Sequence, residues 1–65
     1  MNVGAMNSMF ETSRDEKRGL TVFLQGHQIP IVVKEIHGTE SVEGANQEFG
    51  RVLVRTDQIV ALAFH

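Results

Sequence analysis

The stretch from Gly50 to Phe64, Gly-Arg-Val-Leu-Val-Arg-Thr-Asp-Gln-Ile-Val-Ala-Leu-Ala-Phe, limits most sharply what this chain folds into. Two aliphatic runs flank the polar tetrad Arg55, Thr56, Asp57 and Gln58, the pattern of two short strands meeting at a tight polar corner. In the first run Val52 and Val54 share a face and Leu53 takes the other; in the second, Ile59, Ala61 and Ala63 alternate with Val60, Leu62 and Phe64. Both faces of the second run are apolar, so both need cover, either from the domain's own barrel and a helix or from another subunit.

A chain of 65 residues without cysteine is one domain with no disulfide and no thiolate metal site. At this size only about 60% of the unfolded surface is buried on folding, and association supplies the missing burial. Four Phe, with no Trp or Tyr, leave an aliphatic core and make the two-faced strand a natural subunit contact. No apolar run is long enough to span a bilayer, and the start lacks the basic and then apolar segments of a signal peptide, so a cytoplasmic protein with no membrane partner is expected. The net charge of −2 gives no global pull toward nucleic acid. Glu40, Glu43 and Glu48 lie in a segment with no Lys or Arg between Glu35 and Arg51, so any polyanion site is local and avoids it.

Taken in order, residues 1–7 show no clear period and read as a flexible N-terminus ahead of a single small domain over 8–65. Ser8 with Glu11, and Ser13 with Glu16, have capping-box spacing, which leaves two candidate helix starts. Lys17 and Arg18 suit a helix C-terminus, and Gly19 suits the left-handed residue that ends it. Met6, Met9 and Phe10 are the apolar groups available to dock this short helix. Glu11 to Arg18, with three acids and three bases, reads as a solvated face in which Arg14 and Arg18 pair with Glu11 and Asp15.

Leu20 to Gln25 reads as a strand with Leu20, Val22 and Leu24 on one face, followed by a turn at Gly26 and His27. Gln28 to His37 is a second strand, with Pro30 near its start or on an edge. Ile29, Ile31 and Val33 share one face, and Val32, Lys34 and Ile36 the other. The polar segment 38–47 reads as a loop or loosely formed hairpin. The order is helix, strand, strand, loop, strand, strand.

His27, His37 and His65 show no ligand spacing among themselves, so no metal and no cofactor is expected. No nucleophile elbow, phosphate loop or Ser-His-Asp set is present, and the chain is read as a non-enzyme. Gly38-Thr39-Glu40-Ser41 reads either as a ligand loop or, preferably, as an ordinary hydroxyl-rich turn. The Arg55 corner carries a sharper reading. A guanidinium aimed from a rigid corner stacks on bases or grips phosphate better than a lysine does, and a ring of subunits would multiply it around an opening.

Val52-Leu53-Val54-Arg55-Thr56-Asp57-Gln58-Ile59-Val60-Ala61-Leu62 resembles the second signature of Sm-like proteins of the LSm and Hfq type. In that signature a hydrophobic strand runs into Arg-Gly, then Asn or Asp, then a second hydrophobic strand; here Thr56 stands at the glycine position. The resemblance implies an all-β fold, a small, strongly bent Sm/SH3-like barrel with a short N-terminal helix, assembled into a homo-oligomeric hexamer or heptamer. It implies single-stranded RNA bound by loop residues, carried onto Arg55, with Thr56 and Asp57 shaping the loop, and onto His37 and Gly38 by position. The alternative is an SH3-like protein-interaction or scaffolding module that binds no nucleic acid and recruits a partner by strand addition.

Overall fold

A computed structural model describes residues 3–65 as one N-terminal helix and a five-stranded antiparallel sheet. The helix, α1, is Val3–Glu16. The strands are β1 (Leu20–Leu24), β2 (His27–His37), β3 (Ser41–Asn46), β4 (Gly50–Arg55) and β5 (Ile59–Phe64), with a 3-10 turn at Thr56–Gln58 between the last two. Their order across the sheet is β4-β3-β2-β1-β5. The strands joined by the polar corner therefore lie at opposite edges of the sheet. The sheet is not a closed barrel, because β4 and β5 remain its two edges.

α1 begins ahead of both Ser-x-x-Glu pairs, and the expected flexible segment divides: Val3–Asn7 are helical, while Met1 and Asn2 lie outside the described residues. Met6 and Phe10, one turn apart, are buried in the core, and Met9 packs against it, as their apolar character dictates. Ser13 is not a cap. It is fully buried; its hydroxyl donates to the Arg18 carbonyl at 2.7 Å and accepts from the Val33 amide at 3.0 Å, joining the helix end to β2. Lys17, with φ of +54°, takes the left-handed position instead of Gly19, and the Arg18 amide then closes onto the Ser13 carbonyl at 3.0 Å. Arg18 lies over the Phe64 ring at 4.4 Å, and the Arg14 guanidinium donates to the adjacent Asp15 at 3.0 Å.

β1 and β2 form a hairpin in which Leu24 faces His27 across a turn at Gln25 and Gly26; Gly26 has φ of +87°, and His27 already belongs to the strand. Pro30 sits where β2 is paired with β1 alone, because β3 joins β2 only from Val32 onward. A residue without an N–H fits such a local edge, and the Pro30 carbonyl is taken up by the Asn46 amide at 2.7 Å.

Two bulges decide which residues face the core. Val33 pairs with Gly44 and Glu35 with Glu43, leaving Lys34 as an extra residue. Ile36, expected on the face of Val32 and Lys34, therefore turns to the core side opposite Val42, while Glu35 and His37 turn outward. On β5, Leu24 pairs with Ile59 and Phe23 with Ala61, so Val60 is the extra residue. Val60 is 62% exposed, and Leu62 and Phe64 join Ile59 on the core side.

Residues 41–46, expected within a loop, form β3. Val42 is fully buried, and Gly44 faces inward, where an added Cβ would lie 2.9 Å from Ile31 Cδ1 and 3.0 Å from the Val32 carbonyl oxygen. The core comprises Met6, Phe10, Leu20, Val22, Ile31, Val33, Val42, Val54 and Ile59, so the strands supply the aliphatic groups expected from the composition and the helix adds a methionine and one fully buried phenylalanine. No helix among the described residues is long and apolar enough to cross a membrane.

Candidate functional site

The 3-10 turn holds Arg55, Thr56 and Asp57 in three different environments. Arg55 closes β4 on the outward face, and its guanidinium donates to Asp57 Oδ2 at 2.8 Å with 73% of its side chain still exposed. Asp57 thus aims the arginine without enclosing it. Thr56 points the other way and is 8% exposed. Its hydroxyl reaches the Thr39 carbonyl at 2.6 Å and the Glu40 carbonyl at 3.0 Å, and its amide donates to Glu40 at 2.9 Å. Both carbonyls belong to the turn between β2 and β3, so one side chain latches two loops together.

Thr56 needs no glycine-like backbone, since Lys17 is the only non-glycine residue with positive φ among those described. The hydroxyl at this position instead satisfies turn carbonyls that would otherwise lack this partner. Between the latched loops lies an open cleft of about 430 Å³, lined by Thr39, Glu40, Ser41, Leu53, Arg55 and Asp57 together with Thr56. Its walls offer the Arg55 guanidinium held by Asp57, a second carboxylate at Glu40, small hydroxyls and an apolar side chain, Leu53, that is 63% exposed. A ligand there meets a planar guanidinium beside an exposed aliphatic side chain, and it must compete with Asp57 for the arginine. A larger cleft of about 590 Å³ lies between the start of β2 and the 46–49 turn, bordered by Phe49 and His65 and remote from the corner.

Of the five residues singled out from the sequence, Arg55, Thr56 and Asp57 line the smaller cleft, and His37 and Gly38 do not. Gly38 provides the positive φ, +59°, that starts the turn. His37 pairs with Ser41, which pairs with Arg55, so His37, Ser41 and Arg55 form one outward row across three strands, spanning about 10 Å at ordinary strand spacing. Thr39, Glu40 and Ser41 belong to the stretch whose sequence suits a ligand loop or, preferably, an ordinary turn. The Thr39 and Glu40 carbonyls enter the site because Thr56 reaches them, a contact between residues 16 and 17 positions apart, and Ser41 enters as the strand partner of Arg55.

The His37 ring lies beside Glu43, with Nε2 3.2 Å from Oε1, and Arg51 donates to the other oxygen of Glu43 at 2.7 Å. These two hydrogen bonds, that from His37 first, hold the Glu43 carboxyl below the usual glutamate range. Glu35 stands opposite Glu43 on the same outward face, and donor atoms of Glu35, His37 and Glu43 all lie within 4.8 Å of one another. No protein-family model matches the chain, and a search of curated proteins returns no match.

Proposed function

We propose that this chain is a non-catalytic RNA-binding protein of the Sm-like kind, acting in the cytoplasm as a homo-oligomeric ring of six or seven subunits. Single-stranded RNA lies in the cleft between the 38–41 turn and the Arg55 corner. The observation that carries the reading is the Thr56 latch, which holds the corner bearing the exposed Arg55 against the turn that begins at Gly38, onto which the Sm-like resemblance carries RNA contact by position. In this reading Arg55 leaves Asp57 for a phosphate or stacks on a base, and Leu53 supports the base.

The ring draws its support from the edges. Among the described residues β4 pairs with β3 alone and β5 with β1 alone, and each edge strand carries a large exposed aliphatic group, Leu53 and Val60. Open edges of this kind invite pairing with another chain, and a β4 edge meeting the β5 edge of the next copy generates a closed ring when the rotation permits. Such a ring brings the Arg55 corners together.

Fluorescence anisotropy with a labelled single-stranded RNA tests the site. Affinity should fall with salt as counterions are released and should weaken about tenfold or more in Arg55→Ala, as befits a charge-assisted contact. Unchanged affinity in that variant would remove the proposed site. The protein-interaction reading draws on a specific pair of facts, Glu40 at the cleft and Asp57 already holding Arg55. Purified protein free of excess absorbance at 260 nm and indifferent to RNA would favour it, with the β4 or β5 edge as the docking strand.

A further inference from the structure

The outward face of β2 and β3 carries a second cluster whose chemistry differs from that of the cleft. We propose that Glu35, His37 and Glu43 form a binding site for a divalent transition-metal ion of the zinc class, one ion per chain.

The cluster is a product of the Lys34 bulge. Strict alternation from Ile31 and Val33 would send Glu35 and His37 into the core; the extra residue turns both outward and sets Glu35 directly opposite Glu43. His37 lies two residues beyond Glu35 on the same face, diagonal to Glu43, within side-chain reach across an antiparallel pair. The three side chains bring one imidazole nitrogen and two carboxylate oxygens to within 4.8 Å of one another.

The shortest of these separations already matches a metal site. Bond lengths of about 2.0–2.2 Å place adjacent donors of a tetrahedral zinc ion about 3.3–3.5 Å apart. His37 Nε2 and Glu43 Oε1 are 3.2 Å apart, so the ion takes the place of the proton they share. Glu35 is exposed and closes the remaining distance by a rotamer change. Arg51 holds Glu43 Oε2 at 2.7 Å and so leaves Oε1 turned toward His37, the outer-shell role that orients a ligating carboxylate.

Charge and ligand type select the class of ion. Two carboxylates against one arginine leave the cluster one negative charge in excess when the imidazole is neutral, which favours a dication. An imidazole nitrogen with two oxygens suits zinc, cobalt or nickel; calcium and magnesium require more oxygen donors than the cluster offers. Three protein ligands leave at least one position to water, so the ion exchanges. The site stands beside the RNA cleft but does not depend on it, because Glu35 and Glu43 do not line that cleft.

The test is a calorimetric titration of the full chain with zinc alone, paired with proton NMR of the three histidine rings. One ion per chain should bind, and the His37 ring should shift first. His37→Gln and Glu43→Gln should each weaken binding about tenfold or more, while His27→Gln and His65→Gln leave it unchanged. Since Glu43 also anchors Arg51, the exposed Glu35→Gln keeps the question answerable if Glu43→Gln fails to fold; it should weaken zinc without lowering the melting temperature. Any of three results would overturn the site: no heat or ring shift at about 1 mM zinc, a shift confined to His27 or His65, or undiminished affinity in His37→Gln.

Discussion

Two buried hydroxyls, Ser13 and Thr56, do the same kind of work in different surroundings. Ser13 is fully enclosed, and its oxygen both donates and accepts, so the end of α1 and the centre of β2 cannot separate without leaving a polar group dry. Thr56 sits at the rim of an open cleft and only donates, to turn carbonyls within reach of water. The first contact holds the domain together. The second holds a loop in place, at a level of stability from which functional loops are commonly drawn.

The sharpest way to break this comparison is Ser13→Ala. It strands the buried Val33 amide and removes a partner from the Arg18 carbonyl, and should cost about 2–4 kcal/mol in a urea melt. Gly44→Ala probes the same dry interior from β3. Its new Cβ meets the buried Ile31 side chain and the Val32 carbonyl at 2.9–3.0 Å, and should cost about 1–3 kcal/mol by overpacking. Thr56→Val keeps the shape and removes the donor. A loss of only about 1 kcal/mol is expected, with faster amide exchange in residues 38–41 and weaker RNA binding; a loss as large as that of Ser13→Ala would erase the distinction between the two sites.

Arg55→Ala should leave stability within about 0.5 kcal/mol, since its pair with Asp57 is exposed. The smallest effect is that of Glu43. Its pKa is lowered on folding, so the stabilisation is fully present above the unfolded-state value and is lost as pH falls through the lower folded value. Acid melts of Glu43→Gln should lack this dependence below the ordinary glutamate range.

The hairpin and the β4–β5 corner were legible because their signals are local: alternating Leu20, Val22 and Leu24, a Gly at the turn, and Val52 and Val54 on one face ahead of a polar tetrad. β3 was not legible, because one of its inward positions is Gly44, whose value is close packing and which carries no hydrophobic signal. Bulges at Lys34 and Val60 hid the true faces of Ile36, Leu62 and Phe64, since a single inserted residue inverts every later side chain. The same inversion concealed the Glu35–His37–Glu43 cluster, which histidine spacing alone does not reveal. Ser13 was misplaced because a hydroxyl near a helix end looks like a cap in sequence, whereas its partner Val33 is 20 residues away. At the candidate site the arginine was visible and the latch was not, for the same reason of distance.

The account turns on an RNA-binding ring built through the two sheet edges, and native mass spectrometry with and without a short single-stranded RNA tests it most directly. The account predicts a closed hexamer or heptamer that retains RNA, and an Arg55→Ala protein that keeps the subunit number but releases the RNA. A monomer or dimer that carries no RNA would contradict both the ring and the converging arginines.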